Sequence, residues 1–268
     1  MSGIAAAGRS WAPPPLIRRR ALRIAIQLGA AAYLVLALGS LHVNWRRVAE
    51  GLGRGWQFLA AFAPPDFVSR ADEIGQGMVE SVVMTVTSTV IGIVLAVPVG
   101  LGAARNLAPL PVYLGCRALV AVARTFQEII VAIFFVAMFG FGPLAGVLTL
   151  SFATIGFLSK LLAEDIEDVS PGPIEAVRAT GASWLQLLNY GVQPQVMPRL
   201  IGLSLYRLDI NFRESAIIGI VGAGGIGATL NTAFDRYEYG TAAAILLSII
   251  AVVMAAEYLS GIVRRRVQ

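Results

Sequence analysis

Residues 171–202 read PGPIEAVRATGASWLQLLNYGVQPQVMPRLIG, a polar, arginine-bearing stretch set between two long apolar runs. Pro173 suits a helix start, and Glu175-Ala176 opens a good helix-forming segment. Gly181 permits a bend or a close backbone approach. Trp184, Leu185, Leu187 and Leu188 supply an apolar face. Pro194 and Pro198 are expected to end the surface element and lead into the next apolar run. The pattern predicts two short helices around a glycine, lying on a membrane surface. Two readings stand at this level: an ordinary interfacial hairpin, or a docking element for a soluble partner.

The flanks decide that the surrounding medium is lipid. The 268 residues are 57% hydrophobic and 14% charged, whereas a soluble domain carries about 25% charged residues. The apolar runs far exceed the roughly ten-residue alternating segments of a β-barrel. The expected fold is therefore an all-α membrane protein. About 20 helical residues cross the hydrocarbon core. On that length the spans fall at about 21–41, 78–101, 118–139, 144–163, 200–230 and 240–263. The fifth is expected to break or bend near 222–227. An arm (1–20) precedes the transmembrane domain 21–263, which includes the polar segment 164–199, and a short tail (264–268) follows it.

Arg18-Arg19-Arg20 precede the first run, which is too long for a signal core and has no small-x-small cleavage site after it. It reads as an uncleaved span. Six spans put both termini on one side, together with Arg105, Arg117, Lys160, Arg178, Arg199 and Arg264-Arg265-Arg266. The positive-inside rule makes that side cytoplasmic, although Arg46, Arg47, Arg54 and Arg70 fall opposite. Trp45, Trp56 and Phe58 among those arginines suggest an interfacial helix, ended by Pro64-Pro65. Trp45 serves equally as an anchor for the first span. Gly92, Ala96 and Gly100, four apart, suit close helix packing.

Several chemistries are excluded or left without support. Cys116 and His42 are each alone, so no intrachain disulfide and no histidine-based metal site is expected. The net charge of +5 sits on arginines that flank apolar segments, which fits membrane orientation and not nucleic acid. No G-x-x-x-x-G-K-S/T loop occurs, and Lys160 lacks a glycine frame. The chain is not expected to bind ATP or to be an enzyme. Gly222-Ala223-Gly224-Gly225-Ile226-Gly227 does match G-x-G-x-x-G, but no acidic residue follows at the ribose distance and no α/β alternation surrounds it. The glycines read instead as a helix break or close crossing, either simply packed or offering N–H groups to an oxyanion.

Ionisable residues inside a span are costly unless paired or wet. Asp209, Asn211, Arg213 and Glu214 lie inside the fifth run, with Arg207 just before. Asp209 and Arg213, four apart, share a helix face and are expected to pair, while Asn211 points elsewhere. Either a structural ion pair or a pathway role follows. Arg124 and Glu128 are likewise four apart in the third run and are read as a pair beside Gln127.

Glu175-Ala176, Gly181 with Ala182, and Pro194 thirteen residues after the glycine resemble the cytoplasmic coupling motif of ATP-binding-cassette (ABC) importer permeases. Gly191 and Gln193 depart from it, standing where the family usually has aliphatic residues. The run 208–215, LDINFRES, followed by Gly219 and the glycines 222–227, is similar to the phosphonate-type branch of that family. The resemblance covers about 75–265.

It implies a six-helix permease fold with a coupling helix. Glu175, Ala176, Gly181, Ala182 and Pro194 would engage the ATPase. Asp209, Asn211, Arg213, Ser215, Gly222, Gly224, Gly225 and Gly227 become translocation or gating residues. It further implies a second permease copy or close paralogue, two cytoplasmic ABC ATPases that hold ATP and Mg, and an extracytoplasmic phosphonate- or phosphate-binding protein. The site would be a plasma (inner) membrane, and the cargo phosphonate, phosphite or phosphate. Rival readings are an importer for another small solute such as methionine, a secondary transporter, for which no inverted repeat is evident, and an intramembrane enzyme, for which no catalytic constellation is present.

Overall fold

The computed structural model describes residues 19–40 and 44–267, with side chains described as far as 262. The arm 1–18, His42 and the final residue of the tail lie outside the described residues, as do the side chains of Arg264, Arg265 and Arg266. The described elements are helical and divide into two compact units, the chain passing from one to the other after Leu59.

The first unit holds α1 (Arg20–Ser40) and α2 (Trp45–Ala60). In α1, 21 residues carry enough apolar surface to cross a bilayer. Along α2, Trp45, Val48, Leu52, Trp56 and Leu59 recur at helical spacing on one face. On the opposite face Glu50 meets Arg46 at 3.1 Å and Arg54 at 3.9 Å.

The second unit is built on α3 (Ala71–Ala103) and α6 (Pro143–Glu167), which run parallel. The register is constant: Ser151 Oγ donates to the Ser88 carbonyl and Ser159 Oγ to the Ala96 carbonyl. Small residues allow this approach. A methyl group on Gly100 would stand 2.9 Å from Leu162, and one on Gly92 would collide with Thr154. Without a hydrophobic force between helices in lipid, such contact and polar cross-bonding supply the adhesion.

Two parallel helices require a return path between them. It is made by α4 (Leu110–Thr125) and α5 (Glu128–Phe139), bent by 95° at Phe126-Gln127. The single span expected over 118–139 is thus two helices, the first starting at Leu110. A surface element follows α6: α7 (Pro171–Ala179), a turn at Gly181 with φ +77°, and α8 (Trp184–Gln186). The backbone then widens into a π turn over Leu187–Val192 and continues as α9 (Gln193–Ile220). The prolines therefore do not separate surface element from span. Pro194 lacks an N–H and crowds the carbonyl one turn back, and the wider turn ahead of it accommodates that misfit.

The helix α9 runs antiparallel to α6, with Leu200 packed near Leu162 and Ile218 near Leu150. After a break at 221–225, α10 (Ile226–Asp235) folds back onto α3, and α11 (Tyr239–Val267) returns along α9. Among the described residues, four helices are long and apolar enough to cross a membrane, and five if the bent α4–α5 pair counts as one. At 28 residues, α9 is long enough as well but carries five charged side chains between Arg199 and Glu214.

Candidate functional site

Glu175 and Ala176 are exposed on α7 and Ala182 is half-buried beside Gly181. Trp184 and Leu185 are exposed in the following turn, whereas Leu187, Gly191 and Val192 are buried. The segment is held to the bundle through Ile174 and Leu188, which pack on Leu162, Ile166 and Val196. Gln195 adds a clasp that the sequence did not single out. Its Nε2 donates to the Gly191 carbonyl at 2.7 Å, and its Oε1 accepts from the Ser170 N–H at 3.0 Å. Gly191 is buried beside Ile174, where a methyl group would make an ordinary contact of 3.5 Å with the Ile174 Cα. Pro194 is exposed at the start of α9.

At mid-bundle the polar residues of α9 divide between two faces. Asp209 and Arg213 pair at 2.6 Å, and Arg213 remains half-exposed. Asn211, fully buried, donates to Thr89 Oγ1 at 2.8 Å and to Thr154 Oγ1 at 3.0 Å, tying α9 to α3 and α6. Thr154 gives its hydroxyl proton to the Leu150 carbonyl, so it accepts from both Asn211 and Arg207 Nε, the latter at 3.1 Å. Ser215 turns its hydroxyl back to the Phe212 carbonyl.

The centre of this arrangement is Arg207, 3% exposed. Its Nη2 lies 3.6 Å from Glu128 and 4.0 Å from Glu214, and its guanidinium sits 5.5 Å from the Phe157 ring centroid. Glu128 begins α5 and Arg124 lies in the last turn of α4, so each charge sits at the helix terminus whose dipole favours it. The Arg124–Glu128 pair expected from their spacing does not form, because the helix breaks between them and Glu128 turns to Arg207. The break opens a cleft of about 310 Å³ lined by Arg124, Thr125, Gln127, Glu128, Phe157 and Arg207, among others. Three buried atoms on α9 have no hydrogen-bond partner: Arg207 Nη2, Asp209 Oδ1 and Glu214 Oε2.

The glycines gather at one end of the bundle. Gly222, Gly224 and Gly225 have φ of +93°, +81° and +73°. The Gly222 carbonyl accepts from the Gly142 N–H at 3.0 Å, and Ser81 Oγ accepts from the Ile226 N–H at 2.9 Å. Gly227 meets the Ala216 carbonyl where α10 crosses α9. Positions 223–227 are buried. Beside them lies a larger cleft of about 620 Å³, whose lining includes Asp72 and Glu80 but no basic residue. That lining offers an anion no cation, and Gln76 is its one side-chain amide donor.

Nearby, Arg70 grips Glu238 through two bonds, Nε to Oε2 at 2.7 Å and Nη2 to Oε1 at 2.8 Å, and also meets Glu73 at 2.5 Å. Arg70 therefore holds the Glu238 carboxyl below the ordinary carboxylate range. Asp66 is also held below its ordinary value, by hydrogen bonds from Ser69 and the Val68 N–H.

The family model described as "Binding-protein-dependent transport system inner membrane component" matches residues 72–268. The chain is 43% identical to the "Phosphate-import permease protein PhnE" of Mycolicibacterium smegmatis, over 88% of its own length and 44% of that relative's. It thus spans less than half of that protein. It is 35% identical to the "Putative phosphite transport system permease protein HtxC" of Stutzerimonas stutzeri, over 92% of this chain and 88% of that one. Among solved structures, an inward-facing MetNI methionine ABC transporter superimposes with a TM-score of 0.64 at 23% identity, covering 75% of this chain and all of that one. The chain belongs to the family of inner membrane components of binding-protein-dependent transport systems.

Proposed function

We propose that this protein is the transmembrane subunit of an ABC importer that moves a phosphorus oxyanion (phosphate, phosphite or a phosphonate) into the cytoplasm by alternating access. The observation that carries this reading is the 35% identity sustained over 88% of a putative phosphite permease. The fold adds what the mechanism needs. A bundle of apolar helices carries a buried polar seam along α9, and an exposed helix–turn–helix element lies at the end of α6.

On this reading α1, α3, α4–α5, α6, α9 and α11 are six crossings, and both termini are cytoplasmic. The α7–Gly181–α8 element is the coupling segment, with Glu175, Ala176, Gly181, Ala182 and Pro194 facing an ATPase. Two ATPase subunits, a second permease copy or close paralogue, and an extracytoplasmic binding protein complete the machine. ATP and Mg belong to the ATPases. Movement of the coupling segment reaches the core directly, because Ile174 and Leu188 pack on α6 and α9. The Asp209–Arg213 pair, Asn211 and Ser215 lie along the path, and Gly222, Gly224, Gly225 and Gly227 brace its outer end.

Gentle extraction from the native membrane tests the assembly. Two ATPase subunits and a binding protein are expected to co-purify, and the reconstituted complex is expected to take up phosphate or phosphite only with ATP. Glu175→Ala is expected to leave insertion intact while uptake falls at least about tenfold and ATP turnover continues. A stable, transport-competent protein without any ATPase would overturn the reading.

A further inference from the structure

The cleft at the α4–α5 break holds an arrangement that packing alone leaves unexplained. Buried polar atoms are nearly always hydrogen-bonded, and those that are not call for a missing partner. Arg207 Nη2 is such an atom, on a side chain 4% exposed, and it is a donor. Glu214 Oε2, seven residues along the same helix face, also lacks a hydrogen bond and stands 4.0 Å behind that same nitrogen. Glu128 stands opposite on α5 with its carboxylate 3.6 Å from Nη2, an ion pair too long for a good hydrogen bond. The Arg207 donor and the Glu128 acceptor thus converge from two elements on one opening large enough for a small solute.

The charges restrict what that solute is. Two guanidiniums, Arg124 and Arg207, and one carboxylate, Glu128, line the cleft, and a second carboxylate, Glu214, stands 4.0 Å from Arg207 outside that lining. A fully deprotonated anion such as sulfate would gain charge-assisted bonds from the guanidiniums but would face the Glu128 carboxylate with no proton to offer it. An oxyanion that carries its own hydroxyl group avoids that penalty. Its charged oxygen accepts from the guanidinium while its O–H donates to a carboxylate.

We propose that the cleft lined by Arg207, Arg124, Glu128 and Gln127 is a transient site for a hydrogen-bearing tetrahedral oxyanion. Arg207 takes the charge, and Glu128 accepts a hydrogen bond from the anion's hydroxyl group. This rests on the importer reading and adds to it a residue set and a selectivity rule. Arg207, not the half-exposed Arg213, is the anion's partner in the membrane.

The test uses the permease–ATPase complex in nanodiscs, without binding protein, and radiolabelled inorganic phosphate. Saturable phosphate binding is expected, displaced by phosphite and not by sulfate. Arg207→Lys keeps the charge but loses the planar fork, and is expected to weaken binding by about tenfold. Glu128→Gln is expected to let sulfate compete. The site is overturned if wild-type protein binds no phosphate while the full complex imports it. It is equally overturned if sulfate displaces phosphate from wild-type protein as well as phosphite does. Variants that lower thermal stability but leave affinity and selectivity untouched would show a structural ion cluster and also sink the proposal. Failure of the full complex to import any phosphorus oxyanion would instead strike the importer reading beneath it.

Discussion

The bundle interrupts its helices in two places, and the two interruptions are built from opposite chemistry. Between α9 and α10 the chain turns on glycines, three of them at positive φ, and packs them against Gly142, Ser81 and Phe141. Between α4 and α5 it turns with neither glycine nor proline, through Arg124-Thr125-Phe126-Gln127-Glu128. The first break is closed and satisfied by backbone fit. The second is open, charged and short of hydrogen-bond partners. A break made of backbone fit supports architecture, and a break made of unsatisfied charge holds capacity for a ligand or for movement.

Removing charge from the polar break gives the largest expected effect. Arg207→Ala deletes the cation shared by Glu128 and Glu214 and a donor to Thr154. Breaking a buried ion pair from one side costs about 3–5 kcal/mol, so unfolding in mixed detergent micelles should show a loss of that order. The triple change Arg207→Met, Glu128→Gln and Glu214→Gln removes the uncompensated charge and should recover most of it. A single Arg207→Ala change that left stability untouched would mean the cluster is already hydrated and the contrast between the breaks is false.

Filling the glycine break should cost less. Gly227 has a helical backbone, so Gly227→Ala gains about 1 kcal/mol in helix propensity. The added methyl meets the Ala216 carbonyl, a backbone group that cannot rotate aside, and Ala216, Gly219 and α10 must shift together. Overpacking of this kind costs about 1–3 kcal/mol, so the steric term is expected to win. Gly181→Ala makes the control. It has open space around it but a φ of +77°, and should be strained without any clash.

The two breaks also show what a sequence can disclose. Gly222 to Gly227 announce an interruption because only glycine takes those backbone angles without strain, and the approximate place was readable. So was close packing at Gly92 and Gly100, and so was the Asp209–Arg213 pair, because i,i+4 neighbours on one helix meet by geometry alone. The α4–α5 break was not readable. The i,i+4 rule assigned Arg124 to Glu128 on the assumption of an unbroken helix, and the true partner of Glu128 lies 79 positions on, at Arg207. That pairing depends on the parallel register of α3 and α6, which local periodicity does not encode. The one available hint was a run of four polar residues in five positions inside an apolar span, with the basic residue N-terminal to the acidic one. That order suits a helix end followed by a helix start.

The smallest expected effect lies outside both breaks, at the Arg70–Glu238 clamp that joins the start of α3 to the α10–α11 turn. The folded state holds the Glu238 carboxyl below its ordinary range, so folding favours its ionised form. The clamp's contribution is therefore present above the unfolded carboxylate value of about 4.3 and is lost as the pH falls through the lower folded value. Glu238→Gln should reduce the midpoint of thermal unfolding slightly at pH 7, with wild type and variant converging toward pH 3. Partial exposure and salt screening keep this effect below those of Arg207→Ala and Gly227→Ala. A gap that persisted at pH 3 would show that Glu238 acts by packing instead of charge. The clamp would then resemble the glycine break beside it, where fit and not electrostatics holds the turn.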